Sequence, residues 1–138
     1  MVHFGRFMWK DGALLSFWLL AFIATHLPKI PQSMGRVSDK TLHSVSFLIL
    51  GGLLSWVLHG RITGLVRHAA IVLLIIAVYG AVDELLQIPV GRHCDFQDWI
   101  ADMLGGIFGL ALFHLTYRIA RLLGSRGASR DSATVDEP

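Results

Sequence analysis

The sequence predicts an all-α integral membrane protein, a four-helix bundle with both termini on the cytoplasmic side. Three observations carry this. Hydrophobic residues make up 54% of the 138-residue chain and charged residues only 16%, with a mean hydropathy of +0.58. A soluble domain carries about 25% charged residues. The apolar residues fall into four runs separated by linkers with proline, glycine and charge. Lysine and arginine are unevenly divided between alternate linkers. The net charge of +2 and isoelectric point near 9.0 come from basic residues at the ends of the apolar runs. No basic stripe interleaves with stacking aromatics, so membrane lipid is an expected partner and nucleic acid is not.

The first span is expected at about residues 12–27, near the lower limit of the ~17–25 residues that a membrane helix needs. Trp9 and Lys10 mark its first interface, and Pro28 and Pro31 end it, because proline lacks the N–H and disfavours helix in the residue before it. Arg6 and Lys10 ahead of an apolar run imitate a signal peptide. No clear small-residue cleavage site follows, so a retained span is expected. A polar linker leads to Ser38 and Asp39, either of which suits a helix N-cap. The second span is expected at about residues 41–59, with a small-residue face of Gly51, Gly52 and Ser55.

The third span is expected at about residues 66–87. Its uncharged core, Ala69 to Val82, covers roughly 21 Å at ~1.5 Å per residue, against a hydrocarbon core of ~30 Å. The helix must therefore borrow Asp83, Glu84 and Gln87 at its far end. Pro89 and Gly91 break it. Asp95 or Asp98 can cap the fourth span, expected at about residues 99–117. Ala101, Gly105 and Gly109 recur every fourth residue, a stripe suited to close packing within the chain or to a dimer. The membrane domain is expected over residues 1–123. Residues 124–138 are polar and free of aromatics, which predicts a disordered cytoplasmic tail.

Orientation follows from charge. Arg6, Lys10, Arg61, Arg67, Arg118, Arg121, Arg126 and Arg130 fall on one side of a four-span chain, eight against the four of Lys29, Arg36, Lys40 and Arg92. The richer side is expected to be cytoplasmic. Lys40, His43, Asp83, Glu84, Gln87, Arg92, Asp98 and Asp102 then converge at the outer face as one candidate polar pocket. Asp83 and Gln87 share a helix face, as do Asp98 and Asp102.

These residues also form a pattern. Asp39-Lys40-x-x-His43-x-x-x-Phe47-x-x-x-Gly51 is followed by Tyr79-Gly80-x-x-Asp83-Glu84-x-x-Gln87, then Gly91-Arg92, Asp98 and Ala101-Asp102-x-x-Gly105-x-x-x-Gly109. In order and spacing the chain resembles the VanZ-like family of small bacterial polytopic membrane proteins, named for a protein associated with glycopeptide (teicoplanin) resistance. The resemblance implies a multi-pass protein of the bacterial cytoplasmic membrane. Asp102 stands where the family usually has Asn, and Val90 where it commonly has Pro.

Three functional readings are open at this point. An outward pocket can bind a cell-envelope component such as a lipid-linked wall precursor or a glycopeptide, with Arg92 gripping phosphate or carboxylate. Paired carboxylates with His43 can instead perform acid/base chemistry on a lipid head group, or metal-assisted chemistry with a divalent ion held by His43, Asp83, Glu84 and Asp98. Or the charges form a structural ion-pair network at the helix ends. No metal site or cofactor is assigned, because no H-E-x-x-H spacing occurs. The single cysteine, Cys94, excludes an intramolecular disulfide and a Cys-rich metal site. Nearly bare span interiors argue against ion transport. His3, His59, His68 and His114 are expected towards the inner half, as interfacial or packing residues.

Overall fold

A computed structural model describes the backbone of residues 2–26, 39–91 and 94–133, and side chains at 9–26, 40–89, 91 and 94–125. The described chain is helical: α1 (Val2–His26), α2 (Asp39–Leu58), α3 (Leu65–Gln87), a single 3-10 turn (Ile88–Val90) and α4 (Phe96–Ala133). Residues 40–58, 65–87 and 96–125 are long and apolar enough to cross a membrane. Among the described residues α1 is not a fourth such segment, because Lys10 and Asp11 at one side and Thr25 and His26 at the other dilute its apolar middle. Pro28 and Pro31, expected to end it, lie outside the described residues.

The helix ends show how the bundle is threaded. Asp11 near the start of α1 accepts two bonds from Arg61 in the α2–α3 turn, at 2.8 and 2.9 Å. Thr25 at the other end of α1 meets Asp83 at the end of α3. Lys40 and His43 at the start of α2 meet Asp98 and Asp102 at the start of α4. So α1 and α3 run one way and α2 and α4 the other, in the up-down order that short connections favour.

The tightest seam lies between α2 and α4, and glycine makes it. A Cβ on Gly51 would stand 2.7 Å from the Gly106 carbonyl oxygen; one on Gly105 would strike Ser44, and one on Gly109 would strike Leu48, all backbone atoms. Gly52 is at ordinary contact distance, 3.7 Å from the Gly109 carbonyl. Ala101 is buried, and its carbonyl accepts the Ser44 hydroxyl at 3.1 Å. The expected small-residue stripe therefore faces α2 within the chain. Gly106, which the every-fourth-residue pattern skips, faces both Gly51 and the Ile76 side chain of α3. Phe47, Leu50, Leu54, Val72, Ile76 and Leu110 fill the interior. Leu74, Val78, Phe108 and Leu112 are exposed on the outside, as a lipid-facing surface requires.

The backbone of α4 continues past Leu123 to Ala133, although composition predicts no order there. No proline interrupts the stretch before Pro138, so the hydrogen-bonded ladder of the membrane helix simply extends.

Candidate functional site

Helix α3 does reach Gln87, so the short uncharged run is completed by Asp83, Glu84 and Gln87. All three are buried, as are His43, Asp98 and Asp102. Buried carboxylates are costly unless hydrogen-bonded or paired, and each of these has partners.

Asp83 is reached by the Gln87 amide at 3.2 Å, the Tyr79 hydroxyl at 3.4 Å and the Thr25 hydroxyl at 3.2 Å. The Thr25 hydroxyl also lies 3.0 Å from the Phe22 carbonyl, and its one proton serves one acceptor at a time. His26 Nδ1 donates to the Phe22 carbonyl at 2.8 Å and stands 3.8 Å from Asp83. Glu84 accepts the Asp95 backbone N–H at 2.8 Å and the Gln87 amide at 3.4 Å. Lys40 bridges Asp98 at 3.0 Å and the more exposed Asp95 at 3.2 Å.

Two bonds hold the start of α4 in place. Asp95 Oδ1 accepts the Gln97 N–H at 2.9 Å, which makes Asp95 the N-cap and leaves Asp98 for Lys40. The Trp99 indole N–H donates to the Ala77 carbonyl of α3 at 3.0 Å.

At the centre, His43 Nδ1 and Asp102 Oδ1 are 2.9 Å apart, and both side chains are 0% exposed. Nδ1 also stands 3.8 Å from Glu84. With Nδ1–H given to the carboxylate, a neutral ring presents an unprotonated Nε2. His43 Nε2, Asp102 Oδ2 and His26 Nε2 are buried and have no hydrogen-bond partner among the described residues. A histidine that spends one nitrogen on a carboxylate and leaves the other bare is arranged as a base or as a ligand. One ligand atom each from His43, Glu84 and Asp98 also lies within 4.8 Å of the others. No sequence spacing announces this trio, since its members come from three helices. The Asp102 carboxylate already accepts from His43, and donors from Gln87, Asp95 and Lys40 already engage Glu84 and Asp98.

Of the expected cluster, Lys40, His43, Asp83, Glu84, Gln87, Asp98 and Asp102 come together at one end of the bundle. Arg92 lies outside the described residues. Sequence reasoning missed the α1 contribution, Thr25 and His26. Their signal was a polar pair ending an otherwise apolar run.

A family model described as VanZ/LLP1 matches residues 4–117. This chain belongs to the VanZ/LLP1 family. The matched segment takes in α1 from Phe4 onward, α2, α3 and α4 as far as Tyr117. Every described member of the polar cluster, Thr25 and His26 included, is therefore part of the VanZ/LLP1 domain. No curated protein and no solved structure matches this VanZ/LLP1 chain.

Proposed function

We propose that this VanZ/LLP1 protein presents the polar cluster outward as a binding pocket for the head group of a cell-envelope component, a lipid-linked wall precursor or a glycopeptide, and so contributes to glycopeptide (teicoplanin) resistance. It is read as a multi-pass protein of the bacterial cytoplasmic membrane, with the cluster at the outer face. The observation that supports this most is the set of buried atoms, His43 Nε2, Asp102 Oδ2 and His26 Nε2, that have no hydrogen-bond partner among the described residues. With neutral imidazoles and an ionised Asp102, all three are acceptors. A complementary head group brings donors, the hydroxyl, amide or ammonium groups of a sugar or peptide.

The test is teicoplanin susceptibility in cells with and without the chain, and in cells carrying Glu84→Gln or Arg92→Lys. Membrane protein level is measured alongside. Loss of resistance at unchanged level is the expected outcome. Unchanged susceptibility on deletion overturns the resistance reading, and parallel loss of the protein assigns these residues to a structural network instead.

One observation favours a second reading, acid/base chemistry on a lipid head group: the buried His43–Asp102 pair has Glu84 at 3.8 Å. In that case His43 Nε2 takes a proton while Asp102 steadies the ring. Turnover of a lipid head group by purified protein, abolished by His43→Asn, distinguishes it from binding alone.

A further inference from the structure

The end of the bundle opposite the polar cluster has its own cleft, of about 230 Å³, between the α2–α3 turn, the start of α3 and the second half of α4. The geometry points to a binding site there for the phosphate of an anionic phospholipid head group. This does not depend on the function proposed for the outer cluster.

Its ionisable walls, tyrosine apart, are all basic: His59, His68, His114, Arg118 and Arg121, with no carboxylate among the lining residues. The arginines at this end divide by partner. Arg61 is bound to Asp11. Arg118 and Arg121 are exposed and meet no carboxylate among the described residues. A guanidinium pair that meets no anion among the described residues, beside a cavity, is arranged for phosphate.

The start of α3 adds donors. Gly64 (φ 87°) gives it no side-chain cap, and the first bond of the ladder runs from His68 N–H to the Gly64 carbonyl at 3.0 Å. The N–H groups of Leu65, Val66 and Arg67 precede that bond and carry the positive end of the helix dipole. Gly64 and Leu65 line the cleft, so of these donors the Leu65 N–H lies at its wall.

The histidines hold the wall still. His68 is buried, its Nε2 donates to the Ser55 carbonyl at 3.1 Å, and its Nδ1 pairs with His114 Nε2 at 3.1 Å. Since Nε2 of His68 carries the proton, a neutral His68 accepts at Nδ1 and His114 donates. The Tyr117 ring lies 4.2 Å from that of His59.

The surroundings favour a lipid over a soluble anion. Trp9 packs edge-on against Trp56 at 4.9 Å, with Lys10 4.7 Å over the Trp56 ring, at the same end of the bundle. Together with Tyr117 they form the aromatic and basic belt of a membrane interface. Val66, Leu122 and Leu123, close in sequence to the lining residues, are exposed apolar side chains with acyl chains as their natural neighbours.

The test is native mass spectrometry of the full chain in detergent with equal amounts of phosphatidylglycerol and phosphatidylcholine. The wild type is expected to retain phosphatidylglycerol roughly tenfold or more over phosphatidylcholine. Arg118→Gln/Arg121→Gln should abolish that preference. Arg67→Gln removes a charge at the same end outside the cleft and should leave it intact. Absence of preference in the wild type, or equal loss in Arg67→Gln, overturns the proposal. A parallel arm adds inorganic phosphate at millimolar concentration without lipid. Thermal stabilisation equal to that given by phosphatidylglycerol identifies a soluble-anion site and overturns the lipid assignment.

Discussion

His43 on α2 and Asp102 on α4 are joined at 2.9 Å with both side chains wholly buried, one helical turn from the glycine contacts that bring the two helices together. The seam and the polar pair support each other. Close backbones place the imidazole against the carboxylate, and the bond fixes how the two helices are rotated.

That pairing predicts an order among substitutions at Asp102. Asp102→Asn keeps a carbonyl oxygen for His43 Nδ1–H and should fold with little loss. Asp102→Ala leaves Nδ1 unpaired in a buried setting, at a cost of about 1–2 kcal/mol. Thermal melting of the detergent-solubilised variants checks this. Equal melting of the two would show that the bond contributes nothing to stability.

The glycine seam predicts sharper effects. Gly105→Ala or Gly109→Ala drives a methyl group into the backbone of Ser44 or Leu48, atoms that cannot rotate away. The cost is expected at about 3 kcal/mol, visible as a large fall in melting temperature or in membrane accumulation. Gly52→Ala meets only an ordinary contact at 3.7 Å and should behave like the wild type.

These two cases mark what was legible in the sequence. Helices α2 and α3 were readable from apolar length, and Asp83 and Glu84 inside α3 from the shortage of uncharged residues ahead of them. The union of His43 with Asp102 was readable only as a convergence at one end, because partner choice depends on helix rotation, which a weak apolar period does not define when lipid surrounds the bundle. Gly106 escaped because its role needs two neighbours at once, Gly51 and Ile76. Thr25 and His26 escaped because a threonine and a histidine at a span end read as interface residues. Only the packing of α1 beside α3 gives Thr25 an acidic partner.

The proposed orientation places Cys94 outside. It is exposed and free, between the 3-10 turn and α4. A membrane-impermeant thiol reagent should therefore label it in intact cells. Labelling only after permeabilisation would reverse the topology and put the polar cluster at the inner face.

Lys40 tests whether charge balance at the cluster is a matter of pairing. It holds both Asp98 and Asp95, and the Asp98 carboxylate is the buried one, its side chain 9% exposed against 44% for Asp95. Removing the cation in Lys40→Gln leaves a buried carboxylate without the positive charge that stands 3.0 Å from it. Removing both charges in Lys40→Gln/Asp98→Asn leaves two neutral groups that can bond each other. The double variant should therefore melt above Lys40→Gln alone, a non-additivity of the kind coupled neighbours show. Asp95→Asn serves as a control for the exposed arm of the bridge, where solvent already screens the charge, and its effect should be the smaller. Strict additivity of Lys40→Gln and Asp98→Asn would mean that water or another group, not Lys40, compensates Asp98.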